Sequence, residues 1–228
     1  NSIDSVNKII KNNIKRLGHP NIFALILEPY NHTKAAGCEY KFLKAIRKLC
    51  DKYKIILIYD EIYTGWCKTG SLFHFMRYKA VCPDILTTSK SLGGGKATIA
   101  AYIMQKKVFQ KSYGNYKDRN LHSTTFNGFG EECITAIKAI EILKSKKYCN
   151  TAKNIEKVFK RRFNIISKKY PEYKMINRGC GGLQKIYINN QEVVQEIINK
   201  KLKKKEKKLI NLIKNSNLEI AIIDELYY

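Results

Sequence analysis

Residues 55–95 read IILIYDEIYTGWCKTGSLFHFMRYKAVCPDILTTSKSLGGG, and this stretch decides the predicted fold. Its first apolar run ends at Asp60 and Glu61, and a shorter run ends at Ser89 and Lys90, just before three glycines. Apolar runs without alternation predict strands that are buried on both faces of a parallel sheet. Ligand crevices in open α/β sheets lie at the carboxyl ends of the strands, so Asp60 and Lys90 become candidate site residues.

The residues before this stretch predict a βαβ unit. Residues 5–18 predict a polar helix, and residues 23–27 predict a buried strand that ends at Glu28. An irregular stretch at 30–37 leads into a helix over 39–52, which has apolar residues at helical spacing. A strand, a helix and a second strand in this order predict parallel strands joined by a right-handed crossover.

The residues that follow continue the α/β pattern. Strands are predicted over 83–90 and 96–104, and a loop over 122–130. A helix is predicted over 131–144, with its isoleucines on the apolar side, and another over 151–169. The prediction is therefore an α/β domain over residues 1–169.

The pattern changes at Tyr170 and Pro171, where a smaller α+β domain over residues 170–228 is predicted. Its expected elements are a turn at 178–182, a strand at 183–188, an amphipathic helix from 191 to about 214 and a weak strand near 218–223.

Composition limits the class of protein. The chain has 228 residues, of which 44% are hydrophobic, so it can bury a substantial core. It contains no apolar run of the roughly 18 residues that a membrane helix needs and no basic-then-apolar leader, so a soluble, cytoplasmic protein without a membrane partner is expected. The seven cysteines form no CxxC pair and no zinc spacing, which favours a reducing compartment.

A net charge of +24 raises the possibility of a nucleic-acid partner. However, 36 of the 43 basic residues are lysines, whereas nucleic-acid readout relies heavily on the planar fork of arginine. The lysines are spread along the whole chain together with abundant Asn, Ile and Tyr, as an AT-biased coding sequence would produce. Coding composition is the favoured explanation, and a nucleic-acid partner is not expected.

Lys90 stands among small groups that form hydrogen bonds, and three glycines at 93–95 follow it. Glycine allows a backbone to approach a ligand closely, and a desolvated lysine can react with an aldehyde. Pyridoxal phosphate (PLP) supplies such an aldehyde, and its ring nitrogen needs an acidic partner, a role that suits Asp60. The four histidines lack the paired spacing of metal ligands, and no metal site is predicted.

The sequence resembles class III PLP-dependent aminotransferases of fold type I. The matching motifs, in order, are LILEP at 25–29, DEIYTGWCKTG at 60–70, PDILTTSKSLGGG at 83–95 and HSTTFNGFGEE at 122–132, and RGCGGL at 178–183 resembles the turn that opens the family's small domain. The resemblance implies part of a PLP-binding large domain, with a mostly parallel sheet and flanking helices, followed by part of an α+β small domain.

The resemblance also implies residue roles. Lys90 would form the internal aldimine with PLP and then move a proton between the substrate carbon and the cofactor. The other implied contacts to cofactor and substrate are Asp60 to the ring nitrogen, Ile62 against the ring, Tyr63 at a position that is commonly glutamine and bonds the phenolic oxygen, Glu28 for substrate placement, and Thr125 to the cofactor phosphate of a homodimer partner.

The implied reaction is transfer of an amino group from an amino donor to an oxo acid or an aldehyde. An aminomutase of the same fold is an alternative. The family's N-terminal half has no counterpart in this sequence, so the chain is expected to be a piece of a longer aminotransferase. The other reading is a non-catalytic remnant that acts as a basic binding module.

Overall fold

The computed structural model of the protein describes residues 3–118, 120–145 and 147–191. The helices are α1 (Ile3–Leu17), α2 (Tyr40–Tyr53), α3 (Lys106–Tyr113), α4 (Gly130–Lys144) and α5 (Lys147–Lys169). The strands are β1 (Ala24–Leu27), β2 (Tyr30–Asn31), β3 (Ala36–Gly37), β4 (Ile56–Asp60), β5 (Ile85–Thr88), β6 (Ala101–Met104), β7 (Met175–Cys180) and β8 (Leu183–Ile188).

The main sheet has four strands in the order β1, β4, β5, β6. Strands β1 and β4 are parallel, as are β4 and β5, which confirms the predicted βαβ unit and α/β class. Strand β6 pairs antiparallel with β5 and covers only the last four residues of the strand predicted over 96–104. The sheet is therefore mixed but mostly parallel.

The prediction that the strands are buried on both faces is wrong. In β4, Leu57 and Tyr59 are fully buried against a core to which α1 and α2 contribute, whereas the alternate residues Ile56 and Ile58 are half-buried. In the edge strand β1, Ile26 is 62% exposed. Apolar composition alone does not record which faces helices cover, and this produced the error.

Helix α4 also differs from its prediction. Its isoleucines were expected to form the buried side, yet Ile134 and Ile137 are 70% and 58% exposed. The buried residues are Ala136 and Ala139, and the ideal Cβ position at Gly94 lies 3.1 Å from the Ala139 Cβ. Small side chains let the helix come close to the turn that follows Lys90, and this close approach decides which face is buried.

Two hairpins complete the described structure. Residues 30–37, predicted to be irregular, contain the short antiparallel pair β2 and β3. Strands β7 and β8 form the second hairpin, which confirms the strand at 183–188 and narrows the predicted turn to Gly181 and Gly182. The predicted helix over 191–214 and the strand near 218–223 lie outside the described residues apart from residue 191.

The β7–β8 hairpin packs on α5. Phe159 and Phe163 of α5 form a small buried core with Ile186 of β8. The helix that ends the first predicted domain therefore shares a core with the hairpin that begins the second. Within the described ranges, none of the helices has the length and apolarity needed to cross a membrane.

Candidate active site

Asp60 is the last residue of β4 and its side chain is half-buried. Its Oδ1 atom accepts a hydrogen bond from the Ile62 amide at 3.0 Å, which fixes the carboxylate at the carboxyl edge of the sheet. Among residues 3–118, 120–145 and 147–191, no lysine, arginine or histidine forms an ion pair with it. In a chain with a net charge of +24, a carboxylate without a cation is open to a ligand.

Lys90 begins a short 3-10 helix, Lys90–Gly93, shortly after β5. Its φ angle is +51°, in the left-handed region that a non-glycine residue adopts only at some cost. Backbone strain of this kind clusters at functional sites, where the surrounding structure enforces it. The Lys90 side chain is exposed and has no acidic partner in the part of the chain that the structure describes.

The strand register brings these two residues to the same edge of the sheet. Asp60 pairs with Thr87 across β4 and β5, and Lys90 follows three residues after Thr87. The carboxylate and the amine are nevertheless not in ion-pair contact, which means that they are more than 4.0 Å apart. Opposite charges therefore lie at one edge of the sheet without an ion pair between them.

Tyr63 lies at the centre of a group of aromatic and cationic side chains. The His32 ring stacks on the Tyr63 ring, with 3.7 Å between centroids and 14° between planes. The Lys90 Nζ lies 5.4 Å from the centroid of the same ring, and the Lys68 Nζ lies 5.9 Å from it. Cation–π attraction therefore holds two amines beside one phenol ring.

Glu28 joins this group through His32. One carboxylate oxygen accepts a hydrogen bond from the Asn31 side chain at 2.9 Å, and the other lies 3.7 Å from the His32 Nδ1. The second separation is too long for a hydrogen bond. Glu28 follows β1 by one residue, so all three predicted strand-end groups are present at the carboxyl edge of the sheet.

Lys68 has an unusual charge state. Burial, followed by repulsion from Lys90, lowers the pKa of Lys68 from its usual 10.5 to about 8. Its Nζ donates a hydrogen bond to the Gly65 carbonyl at 3.4 Å. A fraction of Lys68 is therefore neutral near physiological pH, so the amines beside Tyr63 carry a charge that depends on pH.

Glu61 does not act together with Asp60. It is fully buried, and its carboxylate accepts hydrogen bonds from the His74 and Phe75 amides at 2.6 and 2.9 Å. Thr64 donates a third at 3.0 Å. Burial outweighs these bonds and raises the pKa of Glu61. Glu61 anchors the loop after β4, while its neighbour Asp60 remains available at the sheet edge.

Ile62 lines a half-open cavity of about 1640 Å³ beside the sheet, together with Thr87 and Thr88. Aromatic residues of α3 and of segment 122–129 also line it. Neither Asp60 nor Lys90 lines this cavity. The charged residues, which can do chemistry, therefore mark the candidate site better than this cavity does.

Thr125 lies on the exposed segment 121–130, where the His122 Nδ1 lies 3.1 Å from the Tyr102 hydroxyl. Within the described residues, no hydrogen bond connects Thr125 with Asp60 or Lys90. No group of three potential metal ligands occurs in these ranges either.

The β7–β8 turn holds the loop that carries Lys68 through a backbone hydrogen bond. The Gly182 amide donates a hydrogen bond to the Lys68 carbonyl at 2.8 Å, and the Gly181 amide donates one to Glu156 of α5 at 2.7 Å. A Cβ atom at Gly181 would lie 2.3 Å from the Lys68 carbonyl oxygen. Only glycine fits at this point, so the hairpin fixes the position of the Lys68 loop.

Three residues of the site region were missed by sequence reasoning. His32 and Lys68 contact Tyr63. Glu61 anchors the loop after β4, which carries Tyr63 and Lys68. The signal for His32 was its place just after a predicted strand end at Glu28. Sequence offered no signal for the Lys68 contact or for the inward direction of Glu61, because both depend on the path of the loop after β4.

The fold is that of PLP-dependent aminotransferases. The taurine:2-oxoglutarate aminotransferase of Bifidobacterium kashiwanohense superposes with a TM-score of 0.67 over 79% of this chain and 40% of its own, at 20% identity. The ornithine aminotransferase of Toxoplasma gondii, described with partial occupancy of PLP, superposes with a TM-score of 0.62 over 75% of this chain and 39% of its own, at 29% identity.

The chain belongs to the class III aminotransferase family, whose sequence pattern it matches over residues 1–214. It is 35% identical over 160 residues to the acetylornithine/succinyldiaminopimelate aminotransferase of Buchnera aphidicola, which covers 69% of this chain and 37% of that protein. The chain thus spans about two fifths of the length of these relatives.

Proposed function

We propose that this chain carries the lysine and aspartate of a PLP-dependent aminotransferase site, which transfers an amino group from an amino donor to an oxo acid or an aldehyde. One observation carries the proposal. A carboxylate ends β4, an amine follows the neighbouring parallel strand β5 by two residues, and neither is ion-paired with a described residue. Family membership supports PLP as the ligand between them.

The donor set fits PLP. The free Asp60 carboxylate suits a protonated ring nitrogen, and the exposed Lys90 amine suits the cofactor's aldehyde carbon. When bound, PLP supplies an electron-poor ring that stabilises negative charge on the substrate carbon. The fit rests on which groups are free and where the strands end, and it does not depend on the large cavity beside Ile62.

Lys90 would hold the cofactor covalently and, once displaced by the amino donor, would move a proton at the substrate carbon. The Lys68 and Lys90 amines lie beside the same Tyr63 ring, at 5.9 and 5.4 Å from its centroid. A neutral amine is the form that attacks an aldehyde or accepts a proton.

The other side chains would orient the reactants. Asp60 would keep the ring nitrogen protonated, Ile62 would pack against the ring, and the Tyr63 hydroxyl would donate a hydrogen bond to the cofactor's phenolic oxygen. Glu28, held by Asn31 and His32, would help to place the substrate. In a homodimer, the exposed Thr125 would reach the cofactor phosphate of the partner subunit.

We further propose that residues 1–169 belong to the PLP-binding large domain and residues 170–228 to the small domain. The four-stranded sheet with its helices supports the first assignment. The separate antiparallel hairpin β7–β8 supports the second. Helix α5 would connect the two, because its Phe159 and Phe163 pack on the hairpin.

Site-specific attachment of PLP tests the proposal. The chain is incubated with PLP, the bond to lysine is fixed by borohydride, and the labelled peptide is identified by mass spectrometry. Label is expected on Lys90, and Lys90→Ala should lose it. The exposed Lys96 is a matched control, and Lys96→Ala should keep the label. Equal labelling of many of the 36 lysines, or an unchanged level in Lys90→Ala, would contradict the proposal.

A further inference from the structure

Two cysteine side chains, one of them next to Lys68 in sequence, contact each other. Cys67 lies in the loop after β4, and Cys149 lies in the first turns of α5. Their sulfur atoms are 2.7 Å apart, with the Cys149 thiol donating to Cys67. All seven cysteines are free thiols within the described ranges, and no other two of them are hydrogen-bonded to each other. This contact therefore distinguishes Cys67 and Cys149 from the other five cysteines.

We propose that Cys67 and Cys149 form a reversible intrachain disulfide that responds to oxidation. A disulfide needs sulfurs about 2.05 Å apart, so less than about 1 Å of movement separates the thiol pair from a bond. The bond would join the loop after β4 to α5 and close a chain segment that contains β5, β6, α3 and α4. The pair has no role in the proposed transfer reaction, and the inference does not depend on it.

The surroundings of the two thiols assign them different roles. Cys67 is 2% exposed, and its thiol also donates to the Leu143 carbonyl at 3.7 Å, at the end of α4. Burial, followed by the hydrogen bond with Cys149, raises the pKa of Cys67 to about 12. Cys149 is only half-buried. Cys149 therefore meets the oxidant first, and Cys67 completes the bond.

A low-molecular-weight disulfide such as oxidised glutathione is the oxidant. The Cys149 thiolate attacks one sulfur of oxidised glutathione and displaces one glutathione thiolate. The Cys67 sulfur, after losing its proton, attacks the Cys149 sulfur of this mixed disulfide and displaces the second glutathione. Two electrons pass to oxidised glutathione, the two protons lost by the cysteines reappear on two glutathione molecules, and the Cys67–Cys149 bond remains.

The bond would act on the site through its neighbour. Lys68 follows Cys67 directly and holds its amine over the Tyr63 ring, while the Lys68 carbonyl is fixed by the β7–β8 turn. Cys67 has a φ angle of +70°, so the backbone at this point is already restricted. Fixing the Cys67 sulfur to α5 adds a second anchor to the loop that positions Lys68.

The experiment exposes the chain to a series of glutathione redox buffers. After denaturation and alkylation, linked peptides are identified by mass spectrometry. The expected result is a Cys67–Cys149 peptide that accumulates as the buffer becomes more oxidising and disappears with dithiothreitol. The oxidised protein should also unfold at a higher temperature, because the unfolded chain loses conformational freedom. Cys149→Ser should lose both the peptide and the temperature shift.

Cys82 is exposed and provides the matched control, so Cys82→Ser should behave as the unaltered chain. Circular dichroism at low temperature establishes that each variant is folded, and Cys149→Ala serves if the serine variant is not. The proposal is overturned by linked peptides distributed over several cysteine pairs, by a glutathione adduct that stays on Cys149, or by an equal temperature shift in Cys149→Ser.

Discussion

Two aspartates lie at opposite ends of the β4–β5 pair and have different surroundings. Asp84 precedes β5 and is 3% exposed, and its carboxylate binds Arg47 at 2.9 Å, Lys107 at 3.0 Å and the Leu57 amide at 2.9 Å. Asp60 ends β4 and binds only the Ile62 amide among the described residues. Asp84 is paired with cations, whereas Asp60 lies at the carboxyl edge of the sheet, which is where ligands bind in open α/β sheets generally.

The basic side chains show the same difference between paired and unpaired groups. Arg47 is inserted between Asp84 and Asp51, with a separation of 2.8 Å to the second carboxylate. Lys68 and Lys90, by contrast, share the Tyr63 ring and have no acidic partner within the described ranges. In a strongly basic chain, unpaired lysines are common, but two beside one ring at a strand end are a specific arrangement.

The largest expected effect on folding is that of Asp84→Asn. This change leaves Arg47, which is 12% exposed, without its buried carboxylate partner, and such losses cost about 3–5 kcal/mol. Urea unfolding measures the free energy directly. The matched change Asp60→Asn, at the opposite end of the β4–β5 pair, serves as the control. Equal losses for both variants would remove the distinction between the two acids.

Asp60→Asn is expected to separate stability from function. Because no described cation loses a partner, the free energy of unfolding should change by less than about 0.5 kcal/mol. Amino transfer by the polypeptide that contains this site should fall by about a hundredfold or more, since in the proposed site the PLP ring nitrogen loses its acidic partner. Activity close to that of the unaltered protein would exclude the assigned role of Asp60.

Lowering the pH should reduce the stabilisation that the paired Asp84 provides. Burial alone would raise the pKa of Asp84, but hydrogen bonds from Leu57, Lys107 and Arg47 outweigh it and lower the pKa. A carboxyl whose pKa is lower in the folded state stabilises fully above its unfolded pKa of about 3.9, and this contribution is lost as pH falls through the folded value.

The corresponding measurement is urea unfolding of the unaltered chain and of Asp84→Asn between about pH 6 and about pH 3. The stability difference between them should be constant at the upper end and shrink below about pH 4. A difference that stays constant to the lowest pH would mean that the ionised Asp84 carboxylate is not the source of the stabilisation.

The smallest expected effect on stability comes from the charge of Lys68. Its folded pKa of about 8 lies below the unfolded value of about 10.4, so between these pH values the unfolded chain binds more protons. Stability should therefore rise with pH across this window through Lys68. Lys68→Met should be more stable than the unaltered chain at neutral pH, and this advantage should diminish near pH 10.

A second variant tests the origin of the Lys68 shift. Repulsion from Lys90 contributes to the low pKa, so Lys90→Ala should raise the pKa of Lys68. The rate at which Lys68 is acetylated as a function of pH reports this value. An unchanged profile in Lys90→Ala would show that burial alone sets the charge of Lys68.

Much of the architecture follows from local patterns. The apolar runs before Glu28, Asp60 and Lys90 correctly predicted three parallel strands, because strand ends are marked by a change from apolar to polar residues. Burial was predicted less well. The exposed Ile134 and the buried Ala139 of α4 show that packing distance, which no periodicity records, selects the buried face.

Sequence by itself determined the family and the candidate pair Asp60 and Lys90, because type and spacing are properties of the chain. Only the tertiary structure decided which charges are neutralised. Asp84 and Glu61 turn inward to buried partners, and Asp60 does not. His32 and Cys149 reach Tyr63 and Cys67 across long stretches of chain. These outcomes depend on distances of a few ångströms between separate elements. Coulombic and hydrogen-bond energies change steeply with such distances, and the order of residues in the chain does not specify them.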